Sequence, residues 1–327
     1  MDRPDAAALV ASLHVVAIPM RVRFRGVTTR EVALLEGPAG WGEFGPFPEY
    51  AAAEASRWLA AAVEAAWVGW PRAVRRSVPV NATLPAVDRS RVGGILARFP
   101  GATTVKVKVA EPGQGLSEDL DRVAAVREHL GPEGLIRVDA NGGWTVDEAR
   151  DALRRLGAYG LDYAEQPCAS VEELARLRRR LAADGTDVRI AADESIRKAE
   201  DPLRVRDLEA ADVVVVKVAP LGGVRAGMRV VEECGLPAVV SSALDTSVGI
   251  AAGVALAAAL PALPYACGLG TVALLDGDVV TDPLLPVAGT LAVRRVRADP
   301  GLLERYAAPA ERRRWWVERL EACTAYL

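Results

Sequence analysis

Five stretches of the 327-residue chain close an apolar, β-branched run with charge: TTVKVKVA (103–110), IRVDANGGW (136–144), YAEQP (163–167), RIAADES (189–195) and VVVVKVAP (213–220). The charges are Lys106 with Lys108, then Asp139, Glu165, Asp193 and Lys217. From Lys106 onward the steps are 33, 26, 28 and 24 residues, each about one strand plus one helix. In a barrel of alternating strands and helices, catalytic groups sit at the C-terminal ends of successive strands. Three carboxylates gathered there repel and raise one another's pKa unless a cation balances them. Oxygen donors with no histidine or cysteine nearby favour Mg²⁺, with Mn²⁺ as a substitute. Lys106 and Lys108, two apart on a strand, share a face, and Lys217 arrives four units later. Lysines on both sides of a cation imply proton transfer at a carbon beside an oxyanion. A lysine that acts as base must have its pKa of about 10.4 lowered, and burial, a second lysine and the metal all act in that direction.

The elements that position these groups follow from pattern. A barrel is expected to begin at VPVNATL (78–84) and continue through the five charged stretches, with a seventh strand at PAVVSSA and a short eighth near YACGLG. Ser117 is expected to cap the helix after the second strand. Thr145 with Glu148, and Ser170 with Glu173, form capping boxes for the next two. Ahead of the barrel, VVAIPMRVRF and TTREVALLE flank Arg25-Gly26 and read as strands joined by a turn, followed by a helix over 51–67. This is a small α+β domain, and the segment from about Asp276 with its Trp-bearing helix is expected to return to it.

Other chemistries are disfavoured. Gly40-Trp-Gly42-Glu-Phe-Gly45 fits a dinucleotide pattern, but Pro46 and Pro48 stand where a helix would open. Ser241 and Ser242 lack a G-x-S-x-G setting and a histidine partner, so they read as substrate hydrogen-bonding groups rather than nucleophiles. The helix start over 242–249 offers N–H groups for a carboxylate. Gly222-Gly223 fits a plain turn and close ligand approach equally. Asn141 beside Asp139 is a further substrate-contact candidate, although Asp139 also suits a turn and Asp193 a helix cap. With only His14 and His129, the latter at a helix end, proton transfer falls to lysine or acids. Net charge is −3 with signs interspersed, so no nucleic-acid or membrane surface is indicated. Cys168, Cys234, Cys267 and Cys323 form no C-x-x-C pair, which fits reduced thiols in a cytoplasm. The N-terminal apolar run does not have signal-peptide flanks, and the Ala/Gly-rich run 248–263 is too short to span a membrane and reads as a buried helix. Oligomeric state is not legible.

Taken together, the Lys-x-Lys of 106–108, Asp139, Glu165, Asp193, Lys217 and SSALDTSVG (241–249) resemble the enolase superfamily. The resemblance is to its muconate-lactonizing-enzyme-like subgroup and, within that, to the o-succinylbenzoate synthase family. It covers nearly the whole chain. It implies an α/β fold, a modified TIM barrel of (β/α)7β type, with an α+β N-terminal capping domain over 1–77, a catalytic barrel over 78–275 and a return to the cap over 276–327. It also implies that 19–28 and 42–50 close over the barrel mouth. Asp139, Glu165 and Asp193 are then Mg²⁺ ligands, Lys108 the base, Lys106 its tuning partner and Lys217 the group on the opposite face. The implied reaction is a lyase step of menaquinone synthesis: syn dehydration of a small carboxylate, 2-succinyl-6-hydroxy-2,4-cyclohexadiene-1-carboxylate, through an ene-diolate. Segment 241–249 would meet the succinyl side.

A racemase of N-acylamino acids or an epimerase of dipeptides would use the same lysines and acids. The Asp276-Gly-Asp278 stretch is weighed for the latter and reads better as a turn. A non-catalytic barrel leaves the lysines and acids without purpose, and a Schiff-base aldolase leaves the acids unexplained.

Overall fold

The computed structural model describes residues 4–197 and 202–327. Strands β1 (Leu13–Phe24), β2 (Val27–Gly37) and β3 (Gly40–Phe44) form an antiparallel sheet. The β1–β2 connection is two residues, Arg25 at φ +48° and Gly26 at +83°, as a loop matching strand twist requires. For arginine that left-handed conformation costs on the order of 1–2 kcal/mol. The Ala52–Val63 helix lies so close on β3 that a Cβ at Gly42 would stand 2.1 Å from the Ala62 carbonyl oxygen. The Ala310–Thr324 helix packs on the same layer, burying Trp316 edge-on against Phe44 with ring centroids 5.6 Å apart.

The stretch expected to open the barrel is divided. β4 (Ser77–Pro79) pairs antiparallel with Thr290–Ala292, and only β5 (Ala82–Leu84) enters the main sheet. That sheet is parallel and in sequence order: β5, β6 (Thr104–Lys108), β7 (Leu135–Asp139), β8 (Leu161–Glu165), β9 (Ile190–Ala192), β10 (Val213–Lys217) and β11 (Ala238–Ser241). Its edges meet through two residues, since Val80 bridges Cys267 and Ser241 bridges Gly268. The expected eighth strand is reduced to this contact, where a Cβ at Gly268 would stand 2.5 Å from Ser241 Oγ.

Alternation sorts the two faces. Val105, Val107, Ile136 and Val138 join the helices in the main core. Lys106, Lys108, Arg137 and Asp139 occupy the intervening positions, and Arg137 is buried with its Nε donating to Asp162 Oδ2 at 2.8 Å. Thr145 and Ser170 cap their helices as boxes with Glu148 and Glu173. Ser117 does not cap. The Leu116–Leu130 helix starts after Gly115, whose N–H donates to Glu118 Oε2 at 3.1 Å, so the reaching glutamate makes a side chain at the cap unnecessary. The Ser247–Ala259 helix is buried on nearly all sides, as its Ala/Gly-rich sequence suggested. Among the described residues no helix is long and apolar enough to cross a membrane.

Candidate active site

The parallel ladder places the charged residues at one end of the sheet. Lys108, Asp139, Glu165, Lys217 and Ser241 are the last residues of β6, β7, β8, β10 and β11, and Asp193 directly follows β9. Register sets Lys108 beside Asp139, Asp139 beside Glu165 and Lys217 beside Ser241. The acids are at most 1 % exposed and the three lysines 6–9 %.

Every lysine is tied to an acid. Lys106 Nζ donates to both Glu165 oxygens, at 2.9 and 3.1 Å, and lies 3.3 Å from Asp139 Oδ2. Lys108 Nζ donates to Asp139 Oδ2 at 2.5 Å and to Asn141 Oδ1 at 2.7 Å. Lys217 Nζ donates to Asp193 Oδ2 at 2.5 Å. Burial and the adjacent Asp139 carboxylate push Glu165 up to about 7. Burial works against ionising Asp139 too, but Lys108 and Lys106 outweigh it and hold this carboxyl well below the usual range. Lys108 is lowered, by burial first and by the Lys106 charge as well, against the pull of Asp139. Lys106 is also opposed by burial, yet Glu165 and Asp139 raise it above the lysine range. One lysine of the pair therefore holds its proton and the other releases it more readily.

As placed, the acids form no ready-made cage: among the described residues no three acid, histidine or cysteine side chains group closely enough to ligate one ion. Their chemistry nevertheless suits a hard divalent cation. Three oxygen-only donors stand on consecutive strand ends, and the like-charge pressure that raises Glu165 is what such a cation relieves.

Above the lysines lies a cavity of about 370 Å³. Lys106, Lys108, Asn141 and Lys217 reach it from the barrel, and Ser241, beside Lys217 in the sheet, and Ser242 also line it. The N-terminal domain supplies its roof: Phe24, Arg25 and Val27 from the β1–β2 hairpin, and residues 47–50 from the loop after β3. Ser242 Oγ is within hydrogen-bond distance of both the Gly268 carbonyl oxygen, to which it donates at 2.7 Å, and Thr271 Oγ1, at 2.9 Å.

Two sequence expectations land elsewhere. Gly222 and Gly223 are not in the cavity lining; at φ +91° and +131° they turn the chain, and a Cβ on Gly223 would meet the Glu64 carboxylate at 2.4 Å. The helix start after Ser242 is already occupied. Glu43 Oε2 accepts from Thr246 N–H and Gly249 N–H, each at 3.1 Å, while Asp278 Oδ1 accepts from Ser247 N–H at 3.1 Å. Asp278 thus has a local capping role, and Asp276 pairs with Arg21 at 3.0 Å on the surface.

Sequence reasoning missed Arg25, Glu43 and Thr271. Arg25 reads as a turn residue within the segment 19–28 expected over the mouth, but its individual contacts were not legible because its side-chain destination is tertiary. Glu43 left a faint signal, an acid between Trp41 and Phe44 in an otherwise apolar strand.

Residues 89–303 match the family model described as enolase C-terminal domain-like, and 15–66 the one described as enolase N-terminal domain-like. The o-succinylbenzoate synthase of Mycobacterium tuberculosis is 59% identical over 325 residues, covering 99% of this chain and 97% of that relative. That of Thermobifida fusca is 60% identical over 310 residues, covering 94% and 95%. Among solved structures, the muconate lactonizing enzyme of Pseudomonas putida aligns with a TM-score of 0.75 at 22% identity, over 90% of this chain and 98% of that one.

Proposed function

The chain belongs to the enolase superfamily, and we propose that it is an o-succinylbenzoate synthase, dehydrating 2-succinyl-6-hydroxy-2,4-cyclohexadiene-1-carboxylate to o-succinylbenzoate. The observation that carries this reading is identity to curated synthases along nearly the whole chain. Those same names do not favour the racemase alternative. Menaquinone synthesis as the pathway and the cytoplasm as location belong to the proposal; the burial of all four cysteines as thiols supports the latter.

Asp139, Glu165 and Asp193 would hold Mg²⁺, or Mn²⁺ in its place, which supplies Lewis-acid charge to the substrate carboxylate and acidifies the neighbouring C–H. Lys108, lowered by burial and by Lys106, takes the α-proton. The C–H electrons form a ring double bond, the C–O bond breaks, and hydroxide leaves with the proton returned by Lys108 from the same face. The ring is then aromatic and the products are o-succinylbenzoate and water. Lys217, entering four strands away, faces the developing anion from the other side as a fixed cation. Lys106 stays charged on Glu165 and biases Lys108 towards its neutral form. Ser241, Ser242 and Asn141 line the cavity where they would contact substrate, whereas Gly222 and Gly223 act on the fold rather than on the ligand. The functional division we propose is cap 1–77, catalytic barrel 78–275 and return segment 276–327.

The test is product identification. Proton NMR of the purified protein with Mg²⁺ and the cyclohexadiene should show o-succinylbenzoate replacing it. Unchanged diene with folded protein would sink the reading, as would turnover confined to N-succinylamino acids.

A further inference from the structure

The tip of the β1–β2 hairpin does more than roof the cavity. Arg25 sends its guanidinium into the barrel mouth and ends on three groups. Nε donates to Asn141 Oδ1 at 2.8 Å, Nη1 to Glu111 Oε2 at 3.0 Å and Nη2 to the Val109 carbonyl oxygen at 3.1 Å. Two of these acceptors belong to the surroundings of Lys108. Val109 is the next residue in the chain, and Asn141 Oδ1 is the same atom that accepts from Lys108 Nζ at 2.7 Å. An amide oxygen has two lone pairs, and here one serves each cation. The preceding hairpin residue, Phe24, presents its ring to the same ammonium, with Nζ 5.3 Å from the ring centroid.

Backbone conformation adds an independent observation. Arg25 holds φ +48° at a turn position where glycine, asparagine or aspartate is the usual occupant. A strained arginine there has a use only if its side chain does something a glycine cannot. Asn141 is likewise at φ +47°, its N–H donating to Asp139 Oδ1 at 3.1 Å, so the shared acceptor is fixed from behind.

We propose that Arg25 is a positioning residue for Lys108, fixing it through Asn141 and the Val109 carbonyl, so that docking of the hairpin and alignment of the base are one event. Substrate-mouth closure by the capping domain is thereby coupled to the proton-transfer geometry. The assignment rests on the role of Lys108 in the proposed reaction. Arg25 touches Asn141 and the backbone; it is not required to touch the reacting atoms.

The experiment is a double-mutant cycle of Arg25→Ala and Asn141→Ala, with Arg25→Lys and Glu111→Ala alongside. A base displaced by about 1 Å can cost about 10²-fold, so Arg25→Ala should lower kcat by that order while KM moves a few-fold at most. The primary isotope effect with α-deuterated substrate should rise, because proton removal becomes slower than the steps around it. Arg25→Lys should recover only part of the loss, since one ammonium cannot reproduce the planar fork. The double variant should be slower than either single variant, through the remaining Val109 contact, but by less than the product of the two separate losses. Glu111→Ala removes a partner of Arg25 without reaching the cavity lining, so it should lower kcat by a smaller factor; it also carries the test if Arg25→Ala does not fold. A rise in KM alone, additive effects in the cycle, or an unchanged isotope effect overturns the proposal. Wild type is measured in the same run. No wild-type turnover would count against the reaction itself, whereas an active wild type matched by Arg25→Ala counts only against Arg25. Amide exchange over 22–28 is read independently of activity and should quicken in both Arg25→Ala and Asn141→Ala; unchanged exchange overturns the coupling.

Discussion

Lys108 and Lys217 enter one cavity from strands four apart in the sheet, and each is held by a different acid, Asp139 and Asp193, at 2.5 Å. Two amine side chains therefore reach one cavity without sharing an acid partner. A planar carbanion formed there would have a proton acceptor on one side and a fixed charge on the other.

Lys217→Ala should lower kcat by roughly 10²–10³-fold, the usual loss when one donor to a developing oxyanion is removed. It also removes one charged partner of the buried Asp193, so thermal stability must be followed together with rate. A folded, Mg²⁺-loaded variant with wild-type kcat would show that Lys217 has no part in the reaction.

A chelator should abolish turnover, and added Mg²⁺ should restore it. Glu165→Gln and Asp193→Asn should each weaken Mg²⁺ binding by more than the roughly 10–100-fold that loss of an outer partner costs. Titration calorimetry reads this without substrate; affinities equal to wild type would remove these acids from the metal site.

Glu43 links the cap to the barrel and gives stability a pH dependence. Burial and the neighbouring Asp245 push it up to about 8 from an ordinary value of 4.5, against the pull of Arg30. The unfolded chain releases this proton in the usual carboxylate range, while the folded chain keeps it until about pH 8. Stability from Glu43 is therefore complete below about pH 4.5 and is lost progressively as pH rises to about 8. Glu43→Gln should flatten that fall in Tm by about 1–2 °C for each kcal/mol of linkage removed, as the entropy of unfolding of a 327-residue chain implies. Parallel Tm profiles for variant and wild type would contradict it.

Much of this was legible in the sequence because strand periodicity and strand ends are local properties. Val105 and Val107 announce which face of β6 packs on helices, which leaves Lys106 and Lys108 inside. Thr145 and Ser170 mark their helix starts by chemistry confined to four residues. What failed depended on distant partners. The N–H groups at the start of the Ser247–Ala259 helix looked open to a ligand until Glu43, about two hundred positions earlier, proved to hold them. Gly222-Gly223 fitted two roles equally until the Glu64 carboxylate was found against Gly223. Arg25 could be read as a turn, but not as a partner of Asn141 across 116 positions.

The most direct test is the rate of ultraviolet absorbance loss from the cyclohexadiene substrate with Mg²⁺, compared between wild type and Lys108→Ala at matched fold and metal affinity. General-base catalysis contributes about 10²–10⁴-fold, so the variant should lose at least that much of a chelator-sensitive wild-type rate. Equal rates for the two proteins would contradict proton removal by Lys108.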